Sequence, residues 1–194
     1  MSDEAVDLVQ ETFKAYEARD WERVVDLTHP DSMSQVHQSI LEDAGRWRIM
    51  PPPEEMHPPD THPAVLEYFG QMQARFEKHG NPVLREMGVN TGEELAALSP
   101  RDSLLRFLQA KYIAPDRYFD GRGPVRTRRA LGAVHESENV AHVVYRLHTD
   151  MGTLGADDEL YVVSVHRRRG EWRVVLNAEL SHRQGGSLVA ITDE

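Results

Sequence analysis

The run Val140-Ala141-His142-Val143-Val144-Tyr145-Arg146-Leu147-His148 decides the expected fold of this chain. Side chains alternate between the two faces of a strand, and here one face is apolar while the other is mixed. The apolar residues are Ala141, Val143, Tyr145 and Leu147. The pattern predicts a strand that is buried on one face only.

Three similar runs surround this strand, at residues 128–136, 159–167 and 171–180, with short polar turns between them. Gly170 supplies the positive φ that a tight hairpin turn requires. The order predicts an antiparallel meander. Its inner face would consist of Val143, Tyr145, Leu147, Val163, Val165, Trp172, Val174 and Leu176. Its outer face would consist of His142, Val144, Arg146, Val162, Ser164, His166, Val175 and Asn177.

Helical patterns precede the meander. In the first helix, apolar residues recur at steps of three and four, which places Val6, Val9, Phe13 and Tyr16 on one face. Further helices are expected at residues 21–28, 33–47, 62–79, 91–98 and 99–115. Asp20 would cap the first of these, which ends at His29-Pro30, and Asp31 or Ser32 would cap the second. Thr91-Gly92-Glu93-Glu94 predicts a capping box at the start of the helix that ends at Leu98. Because a sheet with one apolar face needs cover, helices followed by strands indicate an α+β fold with a helical layer on one face of the sheet.

The length of 194 residues suits one sizeable core, so a single domain over residues 1–194 is expected. Residues 48–63 hold six of the eleven prolines and predict a loop or a polyproline-type arm. This arm and the extra helices would form an insertion over residues 48–124.

The composition excludes several classes of function. The chain has no cysteine, which rules out thiolate nucleophiles and cysteine-based metal sites, and no motif calls for a cofactor. The net charge of -10 disfavours nucleic-acid binding. The acidic start Met1-Ser2-Asp3-Glu4 and the lack of a long apolar run predict a cytoplasmic protein without a membrane segment.

Two charged clusters have alternative interpretations. Arginines at 126, 128, 129 and 167–169 indicate solvated charge at a sheet edge, or an anion site. His57, Asp60 and His62 have ligand-type side chains, but the proline-rich segment offers no rigid support, so no metal site is predicted and a divalent cation there is the alternative.

Two stretches resemble the nuclear transport factor 2-like superfamily, which includes ketosteroid isomerases and SnoaL-type polyketide cyclases. They are residues 13–27, FKAYEARDWERVVDL, and residues 138–143 continuing to the strand of Gly170-Glu171-Trp172-Arg173-Val174. The resemblance implies a cone, in which a curved sheet wraps around the first helices and leaves one end open. It also implies a homodimer formed through the outer face.

The expected pocket would be lined by the inner face and the first helix. Its candidate ligand-binding residues are Phe13, Tyr16, Trp47, Tyr145 and Trp172. Matching the catalytic positions of the ketosteroid isomerases to this chain mostly fails, and leaves His37 as a possible base and Tyr16 as a possible hydrogen-bond donor. The alternative is that Tyr16 is a core aromatic residue and that His37 lies on an ordinary helix face.

Two functional hypotheses follow. The first is a noncatalytic module that binds an apolar small molecule in the cone or serves in assembly. The second is an isomerase, cyclase or dehydratase that uses His37 and Tyr16 on an apolar carbonyl compound.

Overall fold

A computed structural model describes residues 3–46, 60–113, 125–150, 155–177 and 180 of the chain. The chain forms two compact units. The first combines residues 1–34 with residues 111–194, and the second comprises residues 35–110. The expected single domain with its insertion at 48–124 stays a prediction.

The first unit contains the predicted meander. Its strands are β1 (Val125–His135), β2 (Val140–Asp150), β3 (Ala156–Arg168) and β4 (Glu171–Val175), and they form one antiparallel sheet in the order β1-β2-β3-β4. The β3–β4 turn has positive φ at both central positions, 53° at Arg169 and 85° at Gly170. Such a turn matches the right-handed twist of a hairpin.

Strand alternation holds across the sheet. The register places Val143 opposite Val163, and it places Val165 opposite Val174. All four side chains are fully buried on the inner face. The register shifts between Ala130 and Gly132, so a bulge bends β1. The prediction of an α+β fold with a curved antiparallel sheet is thereby confirmed.

Helix α1 (Glu4–Ala18) covers the inner face and also binds the free edge of β1. Gln10 accepts a hydrogen bond from the Ala130 N–H at 3.1 Å, and Glu17 accepts one from the Arg128 N–H at 3.0 Å. Asp3 caps the helix by accepting the Ala5 N–H at 3.0 Å. The helix therefore satisfies backbone groups of an edge strand that would otherwise be open.

Helix α2 (Trp21–Leu27) follows at once, capped by Asp20 as predicted. Helix α3 (Pro30–Arg46) begins earlier than expected. The expectation that Asp31 or Ser32 precedes α3 as its cap is wrong, because the helix begins at Pro30, where the fixed φ of proline suits a first helical position. Ser32 instead accepts the N–H of Leu176 at 3.0 Å.

The end of the meander also differs from the prediction. β4 stops at Val175, so the alternation assigned as far as Leu180 does not continue. The expected outer position of Asn177 is wrong, because its amide donates to the hydroxyl of Tyr145, an inner-face residue, at 3.0 Å.

The second unit is helical in its described part. It contains most of α3, the helices α4 (Pro63–His79), α5 (Pro82–Glu86) and α6 (Gly92–Ala96), and α7 (Pro100–Ile113) as far as residue 110. Thr91 caps α6 as predicted, whereas Glu94 accepts the N–H of Asn90, not that of Thr91. The short helix α5 was not predicted. The buried apolar residues of this unit are Val36, Ile40, Ala44, Met87, Leu95, Leu104 and Leu108.

Several predicted features lie outside the described residues, including Trp47, His57 and most of the proline-rich arm. None of the helices in the described ranges is both long enough and apolar enough to cross a membrane.

Candidate functional site

Aromatic side chains occupy the middle of the inner face. The rings of Phe13 and Tyr145 lie 4.8 Å apart between centroids, and Tyr145 stacks on Tyr161 at 5.7 Å. Phe13 and Tyr145 have no solvent exposure at all. These two predicted ligand-binding residues therefore touch protein on every side, and a ligand would reach them only if neighbouring groups moved.

Tyr16 is also part of this packed interior. Its hydroxyl donates to the carbonyl oxygen of Leu180 at 2.8 Å, and its ring meets the ring of Trp21 edge-on at 5.8 Å. This hydrogen bond uses the single O–H proton of the tyrosine. The geometry is that of a core aromatic residue whose polar end is satisfied.

Arg128 is a buried charge that the sequence interpretation assigned to a solvated edge. Its register opposite Leu147 puts it on the inner face, and only 6% of the residue is exposed. Its guanidinium carbon lies 5.4 Å from the ring centroid of Tyr16. Strand alternation through residues 128 and 130 could have indicated this position, but the basic composition of the segment suggested an exposed one.

Trp172 lies at the end of the inner face, half-buried between the side chains of Arg167 and His135. The guanidinium of Arg167 is 5.1 Å from its ring centroid, and the His135 ring meets it edge-on at 6.1 Å. Both neighbours bind the first turn of α1. Arg167 pairs with Glu4 at 2.8 Å, and His135 pairs with Asp3 at 2.8 Å.

The pairing with His135 also changes the pKa of Asp3. The hydrogen bond from His135 is the largest cause that lowers the pKa of Asp3 below its usual value. Trp172 therefore belongs to a cluster that fastens the start of α1 to the sheet. Its role as a ligand-binding residue stays a prediction.

His37 lies in the second unit, on α3, whereas Tyr16 lies in the first. The His37 Nδ1 atom and the Ser103 hydroxyl on α7 form a hydrogen bond of 2.6 Å. A serine bound to a histidine is the arrangement that activates a nucleophile. Ser103, however, has no solvent exposure, so a substrate could not reach its hydroxyl as the unit stands. The bond serves to join α3 to α7, and the catalytic role of His37 stays a prediction.

His57, Asp60 and His62 are the side chains of metal-ligand type that the sequence places close together. His62 accepts the N–H of Ala64 through Nδ1 at 3.2 Å, while His57 lies outside the described residues. Within the ranges that the structure describes, no three histidine or acidic side chains are grouped so as to hold a metal ion.

The outer face of the sheet combines exposed apolar side chains with histidine pairs. Val134, Leu160 and Val162 are 65%, 64% and 52% exposed. His142 bonds to Glu136 at 2.8 Å, and His148 bonds to Asp158 at 3.1 Å. On the intervening strand β2, His142 lies beside Val134, Val144 beside Val162 and Arg146 beside Leu160, so the face is a mixture of apolar and polar side chains.

Residues 28–32 cover the other edge of the sheet. Thr28 forms a parallel bridge to Val174, and the His29 N–H donates to the Val174 carbonyl at 2.8 Å. The His29 side chain is only 7% exposed and lies 5.8 Å, ring to ring, from His166. Burial, as the largest cause, lowers the pKa of His29. The sequence interpretation treated His29 only as the end of a helix.

The chain matches no protein-family model, and neither a curated protein nor a solved structure matches it. The resemblance to the nuclear transport factor 2-like superfamily therefore rests on the two stretches that suggested it. The superfamily assignment, the cone and the pocket stay predictions.

Proposed function

We propose that this chain is a noncatalytic assembly module that pairs with a second copy of itself through the outer face of its sheet. The observation that carries the proposal is the exposure of Val134, Leu160 and Val162 on that face, each more than half exposed. Leu160 and Val162 are neighbours on β3, and Val134 lies two strands away on β1. Exposed apolar side chains on one face are typical of interaction surfaces, since burying them is favourable by roughly 25 cal/mol per Å².

The rest of the sheet is already occupied, which supports the outer face as the contact surface. Helix α1 packs on the inner face through Phe13. Gln10 and Glu17 bind the backbone of β1, and residues 28–32 bind the edge of β4. Since both edges have partners at these points, a second copy finds its open apolar surface on the outer face.

The outer face is also complementary to itself. A two-fold axis along the strands, between β2 and β3, would exchange residues that are direct neighbours in the sheet. Val144 and Val162 are such neighbours, as are His148 and Asp158. Across the dimer Val144 would meet the partner's Val162, and His148 would meet the partner's Asp158. These two pairs are complementary, while the same axis would bring Arg146 opposite the partner's Leu160.

Small-molecule binding and acid–base catalysis have weaker support than assembly. A small-molecule ligand would need Phe13 and Tyr145, which have no exposed surface. An acid–base enzyme would need Tyr16 and His37, whose polar atoms bind Leu180 and Ser103. Assembly needs no rearrangement of any of these groups.

The test is the mass of the full chain by sedimentation, with two matched valine variants. Val162→Glu puts a charge at the centre of the proposed interface, and Val65→Glu puts the same charge at an exposed position on α4. We expect the wild-type protein and Val65→Glu to sediment as dimers, and Val162→Glu to sediment as a monomer with an unchanged circular dichroism spectrum.

Two results would contradict the proposal. One is a wild-type chain that remains monomeric up to about 100 µM, a concentration at which even weak specific pairing is visible. The other is a dimer that Val162→Glu leaves intact.

A further inference from the structure

The segment from Thr28 to Ser32 closes the edge of β4 by three contacts. Thr28 bridges to Val174, His29 donates its N–H to the Val174 carbonyl at 2.8 Å, and Ser32 accepts the Leu176 N–H at 3.0 Å. Without this segment the Val174 carbonyl and the Leu176 N–H would lose these partners. An edge of this kind is a template for pairing with another strand.

The imidazole of His29 is placed so that a proton on it would be unfavourable. The Asp31 N–H points at its Nδ1 atom at 3.3 Å, which requires that Nδ1 be unprotonated in this contact. His29 also directly precedes α3, which begins at Pro30. The N-terminal end of a helix carries a partial positive charge and disfavours a neighbouring cation.

Three neighbours, His166, Arg168 and Arg173, lower the pKa of His29, and Asp31 raises it. β3 contributes His166, whose ring is 5.8 Å away, and Arg168, while β4 contributes Arg173. On α3, Asp31 is the acid that faces the ring, with its Oδ2 atom 3.7 Å from Nδ1. Asp31 is shared with Arg168 at 3.8 Å, and Arg173 pairs with Glu171 at 2.5 Å.

We infer that residues 28–32 form an acid-sensitive cover of the β4 edge, which loosens when His29 takes up a proton. A protonated ring would lose the Asp31 N–H contact and would lie beside His166 and two arginines. The pKa of His29 agrees with this, since burial lowers it below the usual histidine value of 6.5. This inference is independent of the proposed dimer.

The sign of the pH effect follows from that direction. Because the folded protein holds His29 with a lowered pKa, the unfolded or loosened state binds the proton more readily. The contribution of the cover is therefore complete above about pH 6.5 and is lost as the pH falls from there through the folded-state pKa.

The test is amide hydrogen exchange of the full chain at about pH 7.5 and about pH 5, corrected for intrinsic exchange rates. We expect the protection of the His29 and Leu176 N–H groups to fall severalfold at the lower pH, while that of Val143 in the central strand β2 stays the same. In His29→Gln, which cannot be protonated, the protection of Leu176 should no longer depend on pH.

Two variants of exposed residues leave His29 itself unchanged and so test the inference even where His29→Gln does not fold. They should change the acid loss of protection in opposite directions. Arg168→Gln removes a positive neighbour and should make the acid loss smaller, whereas Asp31→Asn removes the facing carboxylate and should make it larger. His62→Gln, which changes an exposed histidine outside the sheet, should leave the acid loss unchanged. Equal protection at both pH values in the wild type, or the same acid loss in Arg168→Gln and Asp31→Asn, would overturn the inference.

Discussion

The ring of Phe13 on α1 packs against the ring of Tyr145 on β2, with centroids 4.8 Å apart and planes tilted by 51°. Tilted aromatic pairs of this spacing contribute beyond the area that they bury. The pair joins the first helix to β2 in the middle of the sheet, more than a hundred residues later in the chain. Through this contact α1 packs on the inner face of the sheet.

Replacing Phe13 by alanine should therefore destabilise the protein strongly. We expect a loss of about 3–5 kcal/mol in the free energy of unfolding, because a fully buried aromatic side chain leaves a cavity. Urea denaturation measures the loss. Tyr68→Ala is the control, since Tyr68 is 61% exposed, and it should cost less than about 1 kcal/mol. Similar losses for the two variants would show that Phe13 is not a core residue.

Removing the hydroxyl of Tyr16 should also destabilise the fold. Tyr16→Phe leaves the buried carbonyl of Leu180 without the hydrogen bond that it receives at 2.8 Å. The expected loss is about 1–2 kcal/mol, measured by thermal or urea unfolding. Tyr68→Phe, at an exposed position, should change stability little. A Tyr16→Phe protein as stable as the wild type would mean that the hydroxyl is not buried in this bond.

Substitutions at the two central positions of the β3–β4 turn should change the stability of the protein in opposite directions. Arg169 has φ 53°, and Gly170 has φ 85° with no atom within 4 Å of the position that a Cβ would take. Arg169→Asn should stabilise the protein by a few tenths of a kcal/mol, because asparagine tolerates this region better. Gly170→Ala should cost about 1 kcal/mol on conformational grounds alone. Unfolding midpoints that move in the same direction would contradict this turn geometry.

The acid stability of α1 should depend on Asp3. Its pKa is lowered, chiefly by the hydrogen bond from His135, so its contribution is present above about pH 3.8 and is lost as the pH falls below that value. Asp3→Asn keeps the helix cap but cannot ionise. The stability difference between wild type and Asp3→Asn, from urea unfolding, should be present at about pH 5 and should shrink toward pH 3. His135→Gln should weaken the same acid dependence, and a difference that persists unchanged at low pH would refute it.

The sequence was sufficient for those parts of the fold that short-range rules determine. Alternation of apolar residues located the strands and their faces, because one face of the sheet is buried. Capping residues such as Asp20 and Thr91 located helix starts, because they bind backbone N–H groups within the next few residues.

Features that depend on distant partners were not predicted. β4 ends at Val175 because the next backbone N–H, that of Leu176, binds Ser32 rather than a strand. His29 covers a sheet edge that is formed some 145 residues later. Arg128 is buried over Tyr16, whereas its basic neighbours suggested an exposed edge. In each case the deciding contact joins residues that are far apart in the sequence, although strand alternation places Arg128 on the inner face.

The most direct test of the account is the nuclear Overhauser effect between the ring protons of Phe13 and Tyr145 in the full chain in solution. Helix α1 fills the inner face, which leaves the outer face as the open surface of the sheet. We expect cross-peaks between the two rings, which are 4.8 Å apart between centroids. The absence of these cross-peaks in a folded sample, with both rings assigned, would contradict it.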